Sequence, residues 1–205
     1  MRRFAVALVG LALVATAPMA RADDVPAFTP KKDAYLASKA REPPGTRRRR
    51  AAVVPGKPPP PVVSIFNTWT HEWLVLDRDG KQPLPPPALV DRFLRCHFTD
   101  QHTGMRKELI ATLRDAARHF SARRIDIISG YRSPKYNLML RKKGHEVAKD
   151  SQHTHGQAVD FRIPGVGVLE LDQWARDRRT GGVGLYLDSK FIHVDVGPVR
   201  RWNGS

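Results

Sequence analysis

A proline- and arginine-rich segment divides this 205-residue chain and limits how much of it can fold. Between residues 41 and 61, seven of 21 residues are proline, and Arg47 to Arg50 form an unbroken basic run. Such a composition cannot bury enough apolar surface to offset the chain entropy that folding removes. The sequence therefore predicts a disordered tether with polyproline character over residues 23–61 and one folded domain, with one ordinary core, over residues 62–205.

The first 22 residues have the pattern of a secretory signal peptide. Two arginines precede an apolar run from Phe4 to Ala17, and the small-residue pattern Ala20-Arg21-Ala22 comes directly before Asp23. The apolar run is too short for a comfortable bilayer crossing, since a span takes about 20 residues. We therefore predict a cleaved signal peptide over residues 1–22 and a periplasmic or cell-envelope location, with an uncleaved N-terminal anchor as the alternative.

The net charge of +15 is the unusual feature of the composition, and +5 of it lies on residues 23–61. Such an excess attracts nucleic acid, anionic lipid or anionic cell-wall polymer. Because export separates the protein from nucleic acid, we expect no nucleic-acid partner, and we expect the basic tether to hold the protein near an anionic wall or membrane surface. No oligomeric state follows from these features.

After residue 61 the apolar pattern predicts an α+β domain. Predicted helices span 87–98, 105–120, 134–144 and 168–178, and predicted strands span 62–76 (a strand or hairpin, followed by a turn at 77–80), 125–128, 157–163, 184–187 and 191–196. Since most strands fall in the C-terminal half, we expect a small antiparallel sheet with packed helices. The single cysteine, Cys96, has no disulfide partner in the chain, and burial is favoured over a free reactive thiol.

Histidines and aspartates concentrate in two short segments of the C-terminal half. His153 precedes the predicted strand that carries Asp160, and His193 and Asp195 lie two apart on another strand, so that both point to one face. A catalytic zinc takes three protein ligands from histidine or carboxylate and keeps one open position. His153, Asp160 and His193 would supply that set.

The alternative is a buried histidine satisfied by a carboxylate, and spacing alone leaves the two interpretations open. Two features favour a metal. Asp160 and Asp195 interrupt apolar strand patterns, where an ionised carboxylate is costly unless it is paired or binds metal. Neither segment contains cysteine, which is typical of a catalytic zinc centre in an exported hydrolase rather than of a structural cysteine site.

Three motifs, in this order, resemble one peptidase family. They are Ser129-Gly130-Tyr131-Arg132-Ser133-Pro134, the pattern Ser-x-His-x-x-Gly-x-Ala-x-Asp over residues 151–160, and Phe191-Ile192-His193-Val194-Asp195 with its continuation to Trp202. From about Val62 to Trp202 the chain is similar to the YcbK-like murein endopeptidases, in the clan of the zinc D-Ala-D-Ala carboxypeptidases and the Hedgehog fold. The resemblance implies a Hedgehog/D-Ala-D-Ala-peptidase-like fold, a zinc cofactor and peptidoglycan stem peptides as substrate.

The same resemblance implies roles for single residues. It makes His153, Asp160 and His193 the zinc ligands and places Arg132 near the scissile carbonyl, where it would stabilise the developing oxyanion. For this arginine the alternative is a structural tie between the strand end and a neighbouring carboxylate.

The identity of the general base depends on Asp195, whose role has two interpretations of nearly equal weight. Carboxypeptidase relatives carry an acid three residues before the last histidine, where this chain has Lys190. Asp195 is our candidate base because strand alternation places it on the His193 face. Alternatively, Asp195 holds a ligand imidazole in place.

Three further residues are candidates for substrate binding. His155 faces substrate or solvent, since the glycine spacing of the resemblance selects His153 as the ligand. Ser151 hydrogen-bonds within the metal loop or simply caps it, and Tyr131 lines the cleft or packs in the core. Four tryptophans could line a glycan groove, although core packing is favoured for them.

These features together predict an exported zinc metallopeptidase that hydrolyses peptide cross-links or stem peptides of peptidoglycan, acting as an endopeptidase or a carboxypeptidase. A non-catalytic, zinc-stabilised wall-binding module is the first alternative, and Lys190 keeps it open. A surface-binding factor that acts through its basic tether alone is the second.

Overall fold

The computed structural model describes residues 61–145 and 147–204. The predicted signal peptide and all but the last residue of the predicted tether lie outside the described residues. Along the chain the elements are β1 (Val62–Asn67), β2 (Trp73–Asp77), α1 (Pro87–Phe93), α2 (Lys107–His119), β3 (Arg124–Ser129), α3 (Pro134–Lys142), a 3-10 turn (Gln152–His155), β4 (Ala158–Arg162), α4 (Val168–Arg178), β5 (Gly182–Tyr186), β6 (Phe191–Asp195) and β7 (Arg200–Gly204). Within these residues, no helix is long and apolar enough to cross a membrane.

The seven strands form one mixed sheet in the order β2-β1-β3-β4-β6-β5-β7. Four neighbouring pairs are antiparallel, whereas β1 pairs with β3, and β5 with β7, in parallel. The mixed α and β content agrees with the prediction, but the expectation of a small antiparallel sheet is wrong. Both parallel pairs join strands that are not consecutive in the chain, and no local pattern of residues reveals such a pairing.

Residues 62–76, predicted as a strand or hairpin, form a β-hairpin whose turn lies within this range. The side-chain oxygen of Asn67 accepts hydrogen bonds from the main-chain N–H groups of Trp69 and Thr70, and His71 adopts a positive φ of 58°. An asparagine that bonds its own following backbone competes with continued strand pairing. The turn therefore falls at residues 68–72, before the Asp77–Gly80 bend.

Helix α1 ends at Phe93, five residues before the predicted end. Beyond it the chain turns so that the buried side chain of Arg95 binds Glu72 and Asp100, and Cys96 is buried as predicted. Helix α3 begins as predicted: Ser133 is the N-cap, its Oγ accepts the N–H of Tyr136, and Pro134 is the first helical residue.

Strand alternation gives the sheet two different faces. One face carries apolar side chains such as Ile65, Ile127, Phe161 and Ile192, which join residues of α1, α2 and α4 in one hydrophobic core. The opposite face carries polar and aromatic residues. In the strand register Asp160 lies opposite His193, His193 opposite Gly184, and Gly184 opposite Trp202. This second face, called the open face below, holds the candidate site.

Candidate metal centre

Three donor atoms from three parts of the chain converge on the open face. His153 Nε2 lies 3.1 Å from Asp160 Oδ1 and 3.0 Å from His193 Nδ1, and His193 Nδ1 lies 2.9 Å from the same Asp160 oxygen. All three side chains are buried. We call these atoms the donor triangle. The structure thus brings together the three residues that the sequence predicts as metal ligands.

The outer nitrogen of each imidazole fixes which ring nitrogen faces the triangle. His153 Nδ1 lies 2.8 Å from the carbonyl oxygen of Gly130, and His193 Nε2 lies 2.9 Å from Asp195 Oδ2. Both partners can only accept a hydrogen bond, so both outer nitrogens carry the proton. In the neutral rings His153 Nε2 and His193 Nδ1 therefore point lone pairs at each other and at a carboxylate oxygen.

Three acceptors about 3 Å apart repel one another unless a cation lies among them. Burial alone would raise the pKa of Asp160, but the neighbouring His153 and His193 outweigh it and hold this pKa well below its usual range. Burial lowers the pKa of His153, and in His193 it is outweighed by Asp160 and Asp195, which raise the pKa. Two imidazoles and one carboxylate are the donor set of a catalytic zinc with an open position, so the residues present fit a metal ion.

Asp195 lies behind His193, on the side away from the triangle. Its side chain is 0% exposed, Arg200 binds both carboxylate oxygens at 2.7 and 3.1 Å, and the N–H groups of Gly182 and Gly197 donate to Oδ1. Burial would raise the pKa of Asp195, but hydrogen bonds from His193, Arg200 and the two amides lower it well below its usual range. Its oxygens are fully used, which favours the holding role over the role of base.

Glycines on β5 create the space for this arrangement. A Cβ on Gly182 would lie 2.5 Å from Asp195 Oδ2, and a Cβ on Gly184 would lie 2.5 Å from the indole of Trp202. Both glycines are part of β5, which begins two residues before the predicted strand of residues 184–187. Their missing side chains let Asp195, Arg200 and Trp202 lie flat on the open face.

Arg132 lies beside the donor triangle, three residues after the end of β3. Its Nη2 lies 3.8 Å from Asp160 Oδ2, its side chain is 11% exposed, and it lines the cleft. Asp160 thus directs one oxygen into the triangle and the other towards a guanidinium. This contact corresponds to the structural tie, and the place of Arg132 in the cleft wall is compatible with the oxyanion role as well.

The donor triangle opens into a cleft of about 620 Å³. Of the predicted substrate-binding residues, Ser151 lines this cleft, and its carbonyl accepts a hydrogen bond from Thr154 Oγ1 at 2.6 Å. Tyr131 is half-buried and packs against the core. His155 is exposed, and its Nε2 lies 2.6 Å from Asp150 Oδ1.

Sequence reasoning missed most of the cleft wall. Trp69, His97, Tyr136 and Trp202 line the cleft, although the sequence favours core packing for the tryptophans. Trp202 lies 5.0 Å from the His193 ring and belongs to β7, which the sequence does not predict. The available signal was the position of Trp202 at the end of the third motif.

The match to known proteins agrees with this geometry. The family model described as "Peptidoglycan L,D-endopeptidase MepK" matches residues 63–202, which include all three donors and the sheet from Val63 to Trp202. The chain belongs to this family. Membership confirms the murein endopeptidase resemblance that the three motifs indicate.

Two curated relatives of the family show how far the similarity reaches. The probable peptidoglycan L,D-endopeptidase MepK of Haemophilus influenzae is 51% identical over 80 residues, which are 39% of this chain and 43% of the relative. The peptidoglycan L,D-endopeptidase MepK of Escherichia coli K12 is 47% identical over 78 residues, which are 38% and 43%. The chain thus spans about two-fifths of the length of the curated relatives that it matches. No solved structure matches it significantly.

Proposed function

We propose that this protein is an exported zinc metallopeptidase that cuts peptide cross-links of peptidoglycan as an L,D-endopeptidase. One observation carries the proposal: the donor triangle of His153, Asp160 and His193 lies buried at the base of an open cleft. The family match adds the substrate class, because the relatives carry the name of a peptidoglycan L,D-endopeptidase. That name favours endopeptidase over carboxypeptidase action and over a non-catalytic module.

Zinc is the metal that the donors fit best. Two neutral imidazole nitrogens with one carboxylate oxygen, free of cysteine, leave a tetrahedral ion one position for substrate or solvent. When bound, zinc supplies Lewis acidity for peptide hydrolysis at neutral pH. His153 Nε2, Asp160 Oδ1 and His193 Nδ1 would hold it, and the carbonyl of Gly130 and the carboxylate of Asp195 would keep the two imidazoles in the ligating tautomer.

Asp195 acts in this proposal as a positioning residue. Arg200 and two backbone amides hold its carboxylate in place, and the carboxylate in turn holds the N–H of His193. A base that must receive a proton from the substrate side needs a free oxygen that faces the cleft. The fully buried carboxylate of Asp195 offers none.

Arg132 serves both the ligand and the substrate in this proposal. Its guanidinium lies beside Asp160 Oδ2 and borders the cleft. A planar donor with several N–H groups can keep the carboxylate oriented and also stabilise negative charge that develops on a peptide carbonyl. Arg132 and Arg200 both line the cleft, where their guanidinium groups can also bind the carboxylates of stem peptides.

Export to the periplasm or cell envelope is part of the same proposal, because the substrate lies outside the cytoplasm. The apolar run and small-residue pattern of residues 1–22 support it. Attraction to anionic wall or membrane surfaces through residues 23–61 is proposed from their charge alone.

Single histidine substitutions test the proposal. His153→Ala and His193→Ala should each abolish release of soluble products from purified sacculi and remove zinc from the purified protein, with the circular dichroism spectrum retained. His155→Ala is the matched control, because His155 is next to the triangle in sequence but is exposed and pairs with Asp150. Full activity in either of the first two variants would rule the metal centre out, and mass spectrometry of the products from defined muropeptides identifies the bond that is cut.

A further inference from the structure

An exposed indole is fixed in place at the mouth of the cleft. Trp69, in the β1–β2 turn, is 55% exposed and lines the same cleft as the donor triangle. Its ring stacks on His97 with centroids 4.2 Å apart and an interplanar angle of 6°, and its Nε1 donates to the carbonyl of Ile128 at 2.9 Å. One ring face is thus covered, the polar atom is satisfied by the main chain, and the remaining surface faces solvent.

The loops that carry Trp69 and His97 are tied to each other. Asn67 Oδ1 accepts a hydrogen bond from the main-chain N–H of Trp69 at 3.1 Å, which fixes the turn that carries the indole. The buried guanidinium of Arg95 binds Glu72 in the Trp69 loop and Asp100 in the His97 loop. Because a charged network of this kind leaves little freedom to either loop, the two rings keep their relative position before any ligand arrives.

The wall that Trp69 begins is aromatic and uncharged. His97 meets Tyr136 edge-on at 4.9 Å, and both residues line the cleft. Burial, together with the nearby Arg132, lowers the pKa of His97, so its imidazole is neutral at neutral pH. The side chains that form this wall, Trp69, His97 and Tyr136, thus carry no charge, although Arg132 lies near His97. The exposed indole of Trp69 offers a flat apolar surface to a neutral group.

We propose that Trp69 is a binding platform for a sugar ring of the glycan strand to which the cleaved peptide is attached. The inference rests on the proposed peptidoglycan activity and extends it from the peptide to the sugar. A pyranose ring presents a flat face of C–H groups with slight positive charge, which matches the negative face of an indole. Because Trp69 and the donor triangle share one cleft, a single peptidoglycan fragment can occupy both.

A pair of substrates that differ only in the sugar tests the platform. Cross-linked muropeptides that carry their disaccharides are compared with the same cross-linked peptides after an amidase has removed the sugars. We expect Trp69→Ala to lower kcat/KM by about three- to tenfold on the first substrate, the range of one ring stack, and to leave the second nearly unchanged. Trp69→Phe, which keeps an aromatic face, should retain most of the wild-type value.

Trp73→Ala is the matched control. Trp73 is 48% exposed, but it lies on β2, does not line the cleft, and carries the Arg124 guanidinium over its ring at 5.2 Å. Trp73→Ala should leave kcat/KM on both substrates unchanged.

The loss in Trp69→Ala should also persist at 0.5 M salt, because stacking is not screened as ion pairs are.

Three results would overturn the platform: an equal loss on both substrates, which would place the indole on the peptide; an equal loss in Trp73→Ala; or no loss in Trp69→Ala. If the wild type cleaves neither substrate, the proposed activity fails, and the platform is tested separately by binding to glycan strands stripped of peptides. Weaker binding by Trp69→Ala than by wild type and Trp73→Ala supports the platform, and equal binding by all three overturns it.

Discussion

The two faces of the sheet are built from the same strands but obey different rules. On the core face Val159, Phe161, Ile192 and Val194 pack beneath the helices, while on the open face Asp160, His193 and Asp195 alternate with them along β4 and β6. A buried polar residue is costly unless it is hydrogen-bonded or bound to a cation, so the open face requires Arg132, Arg200 and glycine amides around its acids. The hydrophobic core lies on one face, and the proposed metal centre lies on the other.

Two neighbouring residues of β4 give the largest contrast between the faces. Phe161→Ala should lower the free energy of unfolding by about 3–5 kcal/mol, since it empties a fully buried site in the core. Asp160→Asn should abolish metal binding and peptidase activity with a much smaller change in the stability of the metal-free protein. Denaturant unfolding and zinc content measure the two effects. If Asp160→Asn lowers the free energy of unfolding of the metal-free protein as much as Phe161→Ala does, the proposed difference between the two faces is wrong.

Asp195→Asn separates the two roles open to that residue. If Asp195 is a positioning residue, Asp195→Asn should lower the zinc affinity about 10- to 100-fold. Activity should then recover partly when zinc is added in excess. Competition with a chromogenic chelator measures the affinity. Activity lost at unchanged zinc affinity would instead assign Asp195 as the base.

Gly184→Ala tests the space that the open face requires. The added Cβ would lie 2.5 Å from the Trp202 indole, so the ring must shift, at a cost of about 1–3 kcal/mol in unfolding free energy. Activity should fall as well, because Trp202 packs on His193, a proposed metal ligand. Gly104→Ala is the control, since nothing lies within 4 Å of its added Cβ. Equal stability of both variants would show that β7 moves freely away from β5.

Acid should lower the stability of the folded protein, and part of this loss should depend on Asp195. Its pKa in the folded protein lies below the unfolded value of about 3.9, so its stabilising contribution is complete above that value and is lost as the pH falls through the folded pKa. The metal-free wild type should therefore lose stability more steeply below about pH 4 than Asp195→Asn. Thermal unfolding across this pH range checks the difference, and parallel profiles would contradict it.

Strand β2 provides the smallest expected effect. Val75 on the open face is 56% exposed, whereas its neighbour Leu74 on the core face is buried. Val75→Thr should change the unfolding free energy by about 0.5 kcal/mol or less, and Leu74→Ala should lower it by about 2–5 kcal/mol. A large effect of Val75→Thr in unfolding experiments would show that this end of the open face is covered in solution.

The elements that the sequence predicts best are those with a strong local pattern. Strands β4 and β6 follow from apolar runs interrupted by single acids, and α3 follows from its Ser133-Pro134 start. Strand β7 could not be found in this way, because Arg200 and Arg201 are exposed and the segment pairs only as a parallel edge beside β5. The predicted helix also extends five residues beyond the end of α1, because the chain turns there and Arg95 pairs with Glu72, 23 residues away in the sequence.

By itself the sequence predicted the three residues that the structure brings together as possible metal donors. The spacing of histidine and aspartate left a metal site and a buried, carboxylate-satisfied histidine open, and three ordered motifs pointed to one family of zinc peptidases. The tertiary structure decided what each group faces: that the two imidazoles direct their lone pairs at Asp160, that Arg200 and buried amides enclose Asp195, and that Trp69 stands at the cleft mouth. Strand alternation assigns a residue to a face, but only packing decides which neighbour meets it there and which atoms stay open to a substrate.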